Sequence, residues 1–129
     1  MNAFQIILIV LAGLIFFGYI KKFIQTRGIQ NYSVSDTYNK TQNSRSVILL
    51  DVRTLQERKA NMIKGSYHIP LHELGTRMNE LNKFKDKEII CYCRTGNRSL
   101  SAASKLKRNG FNSANLRGGI NSWFANGLK

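Results

Sequence analysis

The chain is 129 residues long, carries a formal charge of +13 and has only two cysteines. The length allows one domain, and two cysteines in a reducing compartment point to reactive or buried thiols rather than to a structural disulfide. The basic residues are scattered and no nucleic-acid-binding motif lies among them, so an anionic leaflet or an anionic substrate accounts for the charge better than nucleic acid does.

Residues 4–20 read FQIILIVLAGLIFFGYI, an uncharged run in which twelve of seventeen residues are Leu, Ile, Phe or Val. As a helix at ~1.5 Å per residue the run is ~26 Å long, close to the hydrocarbon thickness of a bilayer. A cleaved signal peptide would need a basic segment before the run and a small-x-small site after it; instead no Lys or Arg precedes it and Gly18-Tyr19-Ile20-Lys21-Lys22 follows. A buried core helix is the other alternative. The sequence therefore predicts a single-pass anchor over residues 1–24, a tether over 25–33 and a folded domain over 34–129. Every Lys and Arg lies after residue 20, so the positive-inside rule places the C-terminal domain in the cytoplasm, on the inner membrane if the cell is bacterial.

Within the domain, residues 34–43 form a polar segment able to make a weak helix. SVILLD at 46–51 is a continuous apolar run of the kind expected of a strand buried on both faces. Thr54 followed by Glu57 is a capping box, which starts a short helix just after Arg53. Residues 65–70, GSYHIP, read as a turn, a very short strand and a stop. Leu71, Leu74, Met78 and Leu81 then recur at helical spacing. EIICY at 88–92 is a second buried strand. Residues 98–109 put Leu100, Ala103 and Leu106 on one helical stripe, closed by Gly110 with Phe111 packing back. A third strand near 114–116 leads through Gly118-Gly119 into a last short helix with Trp123 and Phe124, which read as core aromatics. Strands alternating with helices predict an α/β fold, an open parallel sheet with helices on both faces. Ligands in such sheets sit beyond the carboxyl ends of the strands.

CYCRTGNRS at 91–99 lies at one of those ends. Between strand and helix, residues 93–97 form a tight loop whose N–H groups turn inward, an anion nest at a helix N-terminus. Gly96 permits the positive φ that the curl needs, and the helix dipole with Arg94 and Arg98 favours a thiolate at Cys93. A thiolate in a cup of donors suits sulfur transfer or phosphoryl transfer. Cys91 reads as a small buried hydrophobe, with a resolving thiol as the alternative. His68 and His72 have no C-x-x-C partner spacing to make a zinc site, and no metal or cofactor is expected.

Four stretches together resemble a single-domain rhodanese: LLDVRTLQE at 49–57, GSYHIP at 65–70, CYCRTGNRS at 91–99 and NLRGGINSW at 115–123. The resemblance implies a rhodanese-like sheet preceded by a transmembrane helix. It also implies a sulfurtransferase that moves a sulfane sulfur from thiosulfate, or from a small-molecule or protein-bound persulfide, to a thiol or cyanide through a Cys93 persulfide. The family's cysteine opens a six-residue loop, whereas the related cell-cycle phosphatases place five residues between cysteine and arginine; here Arg94, Thr95, Gly96 and Asn97 make four between Cys93 and Arg98, which favours sulfur. The resemblance implies that Arg94 meets an anionic group, that Arg98 holds the loop, and that Asp51 and Arg53 support the site from the neighbouring strand. The family pattern Gly-His-Ile-Pro is replaced by Asn61-Met62-Ile63-Lys64, which alters the wall of the pocket. A non-catalytic rhodanese-like binding or sensing module at the membrane is the alternative reading, and the oligomeric state is not encoded legibly.

Overall fold

The computed structural model describes all of residues 1–129. After the N-terminal helix α1 (Ala3–Thr26) come β1 (Gln30–Tyr32), α2 (Val34–Asn43), β2 (Val47–Asp51), α3 (Leu55–Ala60) and β3 (Tyr67–His68). A helical segment centred on α4 (Leu74–Arg77) then leads to β4 (Glu88–Tyr92), α5 (Asn97–Arg108), β5 (Asn112–Leu116) and α6 (Gly119–Ala125). The strands form one sheet in the order β1-β5-β4-β2-β3, and every pairing is parallel. Strand alternation splits the core into two layers. Leu50, Ile89, Cys91 and Cys93 face the layer under α4 and α5, with Ala102, Ala103 and Leu106. Leu49, Ile90, Tyr92 and Ala114 face the layer that includes Ile120 and Trp123 of α6. A sheet buried on both sides explains why β2 and β4 read as unbroken apolar runs.

The capping box at Thr54 forms: its hydroxyl accepts from the Glu57 N–H, and the Glu57 carboxylate accepts from the Thr54 N–H. The helix stop at Gly110 also forms, with the Phe111 N–H donating to the Leu106 carbonyl at 3.1 Å. Two elements differ from expectation. The helical spacing over residues 71–81 yields only one α turn, flanked by tight 3₁₀ turns at Leu71–Glu73 and Met78–Phe84. No side chain caps any of these pieces, and i→i+3 bonds satisfy groups that a longer α-helix would orphan at its ends.

The second difference concerns the expected tether at 25–33. Helix α1 continues to Thr26, and Gln30–Tyr32 pair with Ala114, Asn115 and Leu116 as the edge strand β1. Only Arg27, Gly28 and Ile29 connect the two, and Ile29 is itself in the core. Helix α1 is uncharged from Ala3 to Ile20 and has no buried residue, so it is a candidate membrane span by length and composition.

Candidate active site

The strand β4 ends at Tyr92, so Cys93 is delivered at the carboxyl end of the central part of the sheet, and α5 begins only four residues later at Asn97. Gly96 completes the reversal with φ +112, a conformation that is cheap only for glycine. The Cys93 Sγ accepts a hydrogen bond from the Gly96 N–H at 3.1 Å and one from the Ser99 hydroxyl at 3.3 Å. The sulfur lies at the floor of the loop, with Cys93 only 1% exposed. Burial alone pushes the thiol up, but hydrogen bonds from the Ser99 hydroxyl and from the N–H groups of Ser99, Gly96 and Thr95 outweigh it and bring Cys93 below its ordinary value.

The loop is held from behind by the start of α6. The carbonyls of Cys93 and Arg94 accept from the N–H groups of Ile120 at 2.9 Å and Asn121 at 3.2 Å. With those carbonyls fixed outward, the following N–H groups are free to face the sulfur. The approach requires a bare backbone: a Cβ on Gly119 would stand 2.5 Å from both carbonyl oxygens.

Arg98 lies half-exposed on the first turn of α5 and makes a two-pronged pair with Glu57, Nη1 to Oε1 at 2.7 Å and Nη2 to Oε2 at 2.8 Å. That pairing, with the Thr54 cap, holds the Glu57 carboxyl down at about 2, burial working against it. Arg98 therefore ties the first turn of α5 to α3. Arg94 is exposed and has no ion pair. It borders a cleft of about 190 Å³ with Arg53, Glu57, Asn61 and Asn121. Thr95 and Asn97 are exposed on the rim, and Thr95 contributes its main-chain N–H.

Asp51 and Arg53 form a buried pair beside the loop: Arg53 Nη2 reaches Asp51 Oδ2 at 2.9 Å and Nε reaches Oδ1 at 3.0 Å. The rest of the Arg53 guanidinium is taken up by the Asn61 carbonyl at 2.7 Å and side chain at 2.9 Å, and Arg58 also reaches Asp51, at 3.2 Å. Both residues stiffen the wall of the cleft, and Asn61, which departs from the family pattern, is what Arg53 grips. A roomier depression of about 360 Å³ between α2 and the Ile63–Gly65 bend has no cysteine in its lining.

Sequence reasoning missed Ser99, Asn115 and the part played by Gly119. Ser99 donates to Asn115 Oδ1 at 2.6 Å as well as to the sulfur, and Asn115 Nδ2 donates to Asn31 of β1 at 2.8 Å. The Gly118-Gly119 pair was visible as a signal; its contact with residues 93–94, far off in the chain, was not. Cys91, two positions before Cys93, is wholly buried, and burial pushes its thiol far above the ordinary value, with the neighbouring Cys93 adding to the rise.

The chain is similar to known proteins over most of the folded domain. The profile of the rhodanese-like domain matches residues 34–126. A sulfurtransferase of Allochromatium vinosum is 38% identical over 87 residues, 67% of this chain and 79% of that protein. The putative sulfurtransferase YtwF of Bacillus subtilis is 32% identical over 95 residues, 74% of this chain and 90% of its own length. A solved rhodanese-related protein from Thermoplasma volcanium superposes with a TM-score of 0.71 at 31% identity, covering 78% of this chain and 95% of that one. These names support sulfur transfer as the broad chemistry, and the match across nearly the whole domain means that the chain belongs to the rhodanese-like family.

Proposed function

We propose that the protein is a membrane-anchored sulfurtransferase whose nucleophile is Cys93. The observation that carries the reading is the hydrogen bonding of a buried sulfur: the Gly96 N–H at 3.1 Å and the Ser99 hydroxyl at 3.3 Å both stabilise the thiolate. With thiosulfate as donor, the Cys93 thiolate attacks the outer sulfur and a new S–S bond forms. The S–S bond of thiosulfate breaks, and sulfite departs with its electron pair. The terminal sulfur of the resulting Cys93 persulfide takes the place of the thiolate in front of the N–H groups of Thr95, Gly96 and Ser99. An acceptor, cyanide or a thiolate, then attacks that sulfur, and Cys93 leaves as the thiolate. Arg94, exposed at the mouth, meets the anionic part of the donor, while Arg98 and the Asp51–Arg53 pair keep the loop and its wall in place.

The run at 4–20 anchors the domain, and Lys21, Lys22 and Arg27 after it favour a cytoplasmic domain on a bacterial inner membrane. The test is to supply thiosulfate and cyanide to the purified chain, measure thiocyanate, and weigh the protein after donor alone. The wild type is expected to gain one sulfur on Cys93 and to form thiocyanate, and Cys93→Ser to do neither. Equal turnover by Cys93→Ser removes Cys93 from the mechanism. A wild type that never gains sulfur with any donor is a binding module instead.

A further inference from the structure

Both ends of the parallel sheet are basic, but they differ in how many of the cations are already paired. At the carboxyl end, beside Cys93, Arg53 and Arg58 are engaged with Asp51 and Arg98 with Glu57, and only Arg94 and Arg117 around the loop are exposed without an ion pair. At the amino end, the connections into β2, β4 and β5 carry Arg45, Lys83, Lys85, Lys87, Lys107 and Arg108. The acidic residues there are Asp86 and Glu88, and Glu88 is already shared by Lys40 and Tyr32. Except for the half-buried Lys87, the six cations are exposed. Two are steadied over aromatic rings, Lys85 at 4.0 Å from the centre of Phe111 and Lys83 at 4.8 Å from that of Tyr67.

Helix α1 enters at this same end. Its last turn is fastened to α5, the Gln25 carbonyl accepting from the Ser104 hydroxyl and the Gly28 carbonyl accepting from the Lys107 ammonium at 3.0 Å. Ile29 is already in the core one residue later, so the link has little slack. A helix that spans the bilayer must therefore hold the amino end of the sheet at headgroup level, within a Debye length of about 8–10 Å, and the charge there has the sign that anionic lipid attracts.

We propose that the basic amino end of the sheet rests on anionic phospholipid headgroups, so that the Cys93 loop opens into water on the far side of the domain. The proposal depends on α1 being a membrane span. The 12 residues of α5 separate its basic last turn from the loop at its first by about 18 Å. Sulfur donors and acceptors that reach Cys93 are accordingly water-soluble small molecules or soluble proteins, and not carriers dissolved in the lipid.

The test places the full chain in nanodiscs of phosphatidylcholine alone or mixed with phosphatidylglycerol and follows limited lysine acetylation by peptide mass spectrometry. Lys83, Lys85 and Lys87 are expected to react roughly fivefold more slowly in the anionic discs, and Lys59 on α3 at the same rate in both. Equal rates at Lys83, Lys85 and Lys87, or protection of Lys59 instead, overturn the proposal. Replacing Arg45, Lys87 and Arg108 together by glutamine is expected to abolish the lipid dependence at Lys83 and Lys85 while Cys93 alkylation is unchanged; a lipid dependence that survives these changes overturns it. Stronger protection of the same lysines by RNA than by anionic discs assigns the surface to nucleic acid and overturns it as well. Release of the chain from vesicles by alkaline carbonate removes the anchor beneath the proposal, and leaves the Cys93 chemistry to be judged by its own assay.

Discussion

The Ser99 hydroxyl has a single proton and two acceptors, Asn115 Oδ1 at 2.6 Å and Cys93 Sγ at 3.3 Å. While the thiol is neutral, the shorter contact keeps that proton on Asn115. When the sulfur ionises, the proton turns to it, and a neutral hydrogen bond of about 0.5–1.5 kcal/mol is exchanged for a charge-assisted one of about 1.5–3 kcal/mol. The gain is then about 1 kcal/mol, roughly a fivefold change in the ionisation equilibrium. Ser99→Ala should raise the Cys93 pKa and, below it, slow alkylation about fivefold through the smaller thiolate fraction. Asn115→Ala should do the opposite: with no competing acceptor the hydroxyl stays on the sulfur, and the pKa falls. Iodoacetamide alkylation of folded protein across pH reads one thiol, because burial keeps the Cys91 thiol protonated while hydrogen bonds favour the thiolate at Cys93. Loss of packing would lower the melting temperature of both variants alike, but it would not move their pH profiles in opposite directions. Shifts of the same sign, or two profiles that overlay the wild type, would refute the shared-proton account.

Gly119→Ala drives a Cβ to within 2.5 Å of two main-chain oxygens at a φ of +61. The left-handed backbone costs about 1–2 kcal/mol and the overlap about 1–3 kcal/mol, so the melting temperature should fall by roughly 10–25 °C. Gly75→Ala meets only the flexible end of Lys105 and should change the melt by no more than a few degrees, which calibrates the first result. Asp51→Ala strands the buried Arg53 guanidinium and should cost about 3–5 kcal/mol in urea unfolding; a loss below about 1 kcal/mol would show that Asn61 suffices as its partner. The Glu57 carboxyl is held at about 2 in the folded protein against an ordinary 4.5. A lowered carboxyl pKa stabilises the fold above the unfolded value and loses that contribution as pH falls through the folded one. Glu57→Gln should therefore be less stable than wild type above pH 4.5 and converge with it near pH 2. The pair is partly exposed and solvent-screened, which limits the difference to about 0.5–1 kcal/mol, and parallel stability curves over that range would contradict it.

How much of this was legible before the fold was known depends on how far apart in the chain the interacting groups lie. The segment at 88–108 is local: an apolar strand, a cysteine, a glycine and an amphipathic helix follow one another, so loop and thiolate could be reasoned from adjacency. Asp51 and Arg53 were reachable only through the family resemblance, which implies that they support the site from the neighbouring strand. Asn115 and Gly119 were not, since their contacts with Ser99 and with the 93–94 carbonyls depend on the register of β5 against β4 and on the angle at which α6 leaves it. Strand β1 escaped for another reason. Gln30–Tyr32 is three residues of edge strand with largely exposed side chains, held by main-chain pairing to β5, and main-chain pairing leaves no pattern in side-chain chemistry. The residues at 71–84 misled in the opposite direction: their apolar spacing was right for burial, but without caps it specified a face and not a continuous α-helix.

The depth at which Cys91 lies also bears on what happens between two halves of a sulfur hand-over. Its thiol stays protonated in the core and would make a poor attacker on the persulfide proposed for Cys93. Under the proposed mechanism, with no internal thiol to discharge it, a loaded domain would stay loaded until something outside collects the cargo. The waiting time is then governed by the supply of acceptors in the surrounding solution rather than by any clock within the fold.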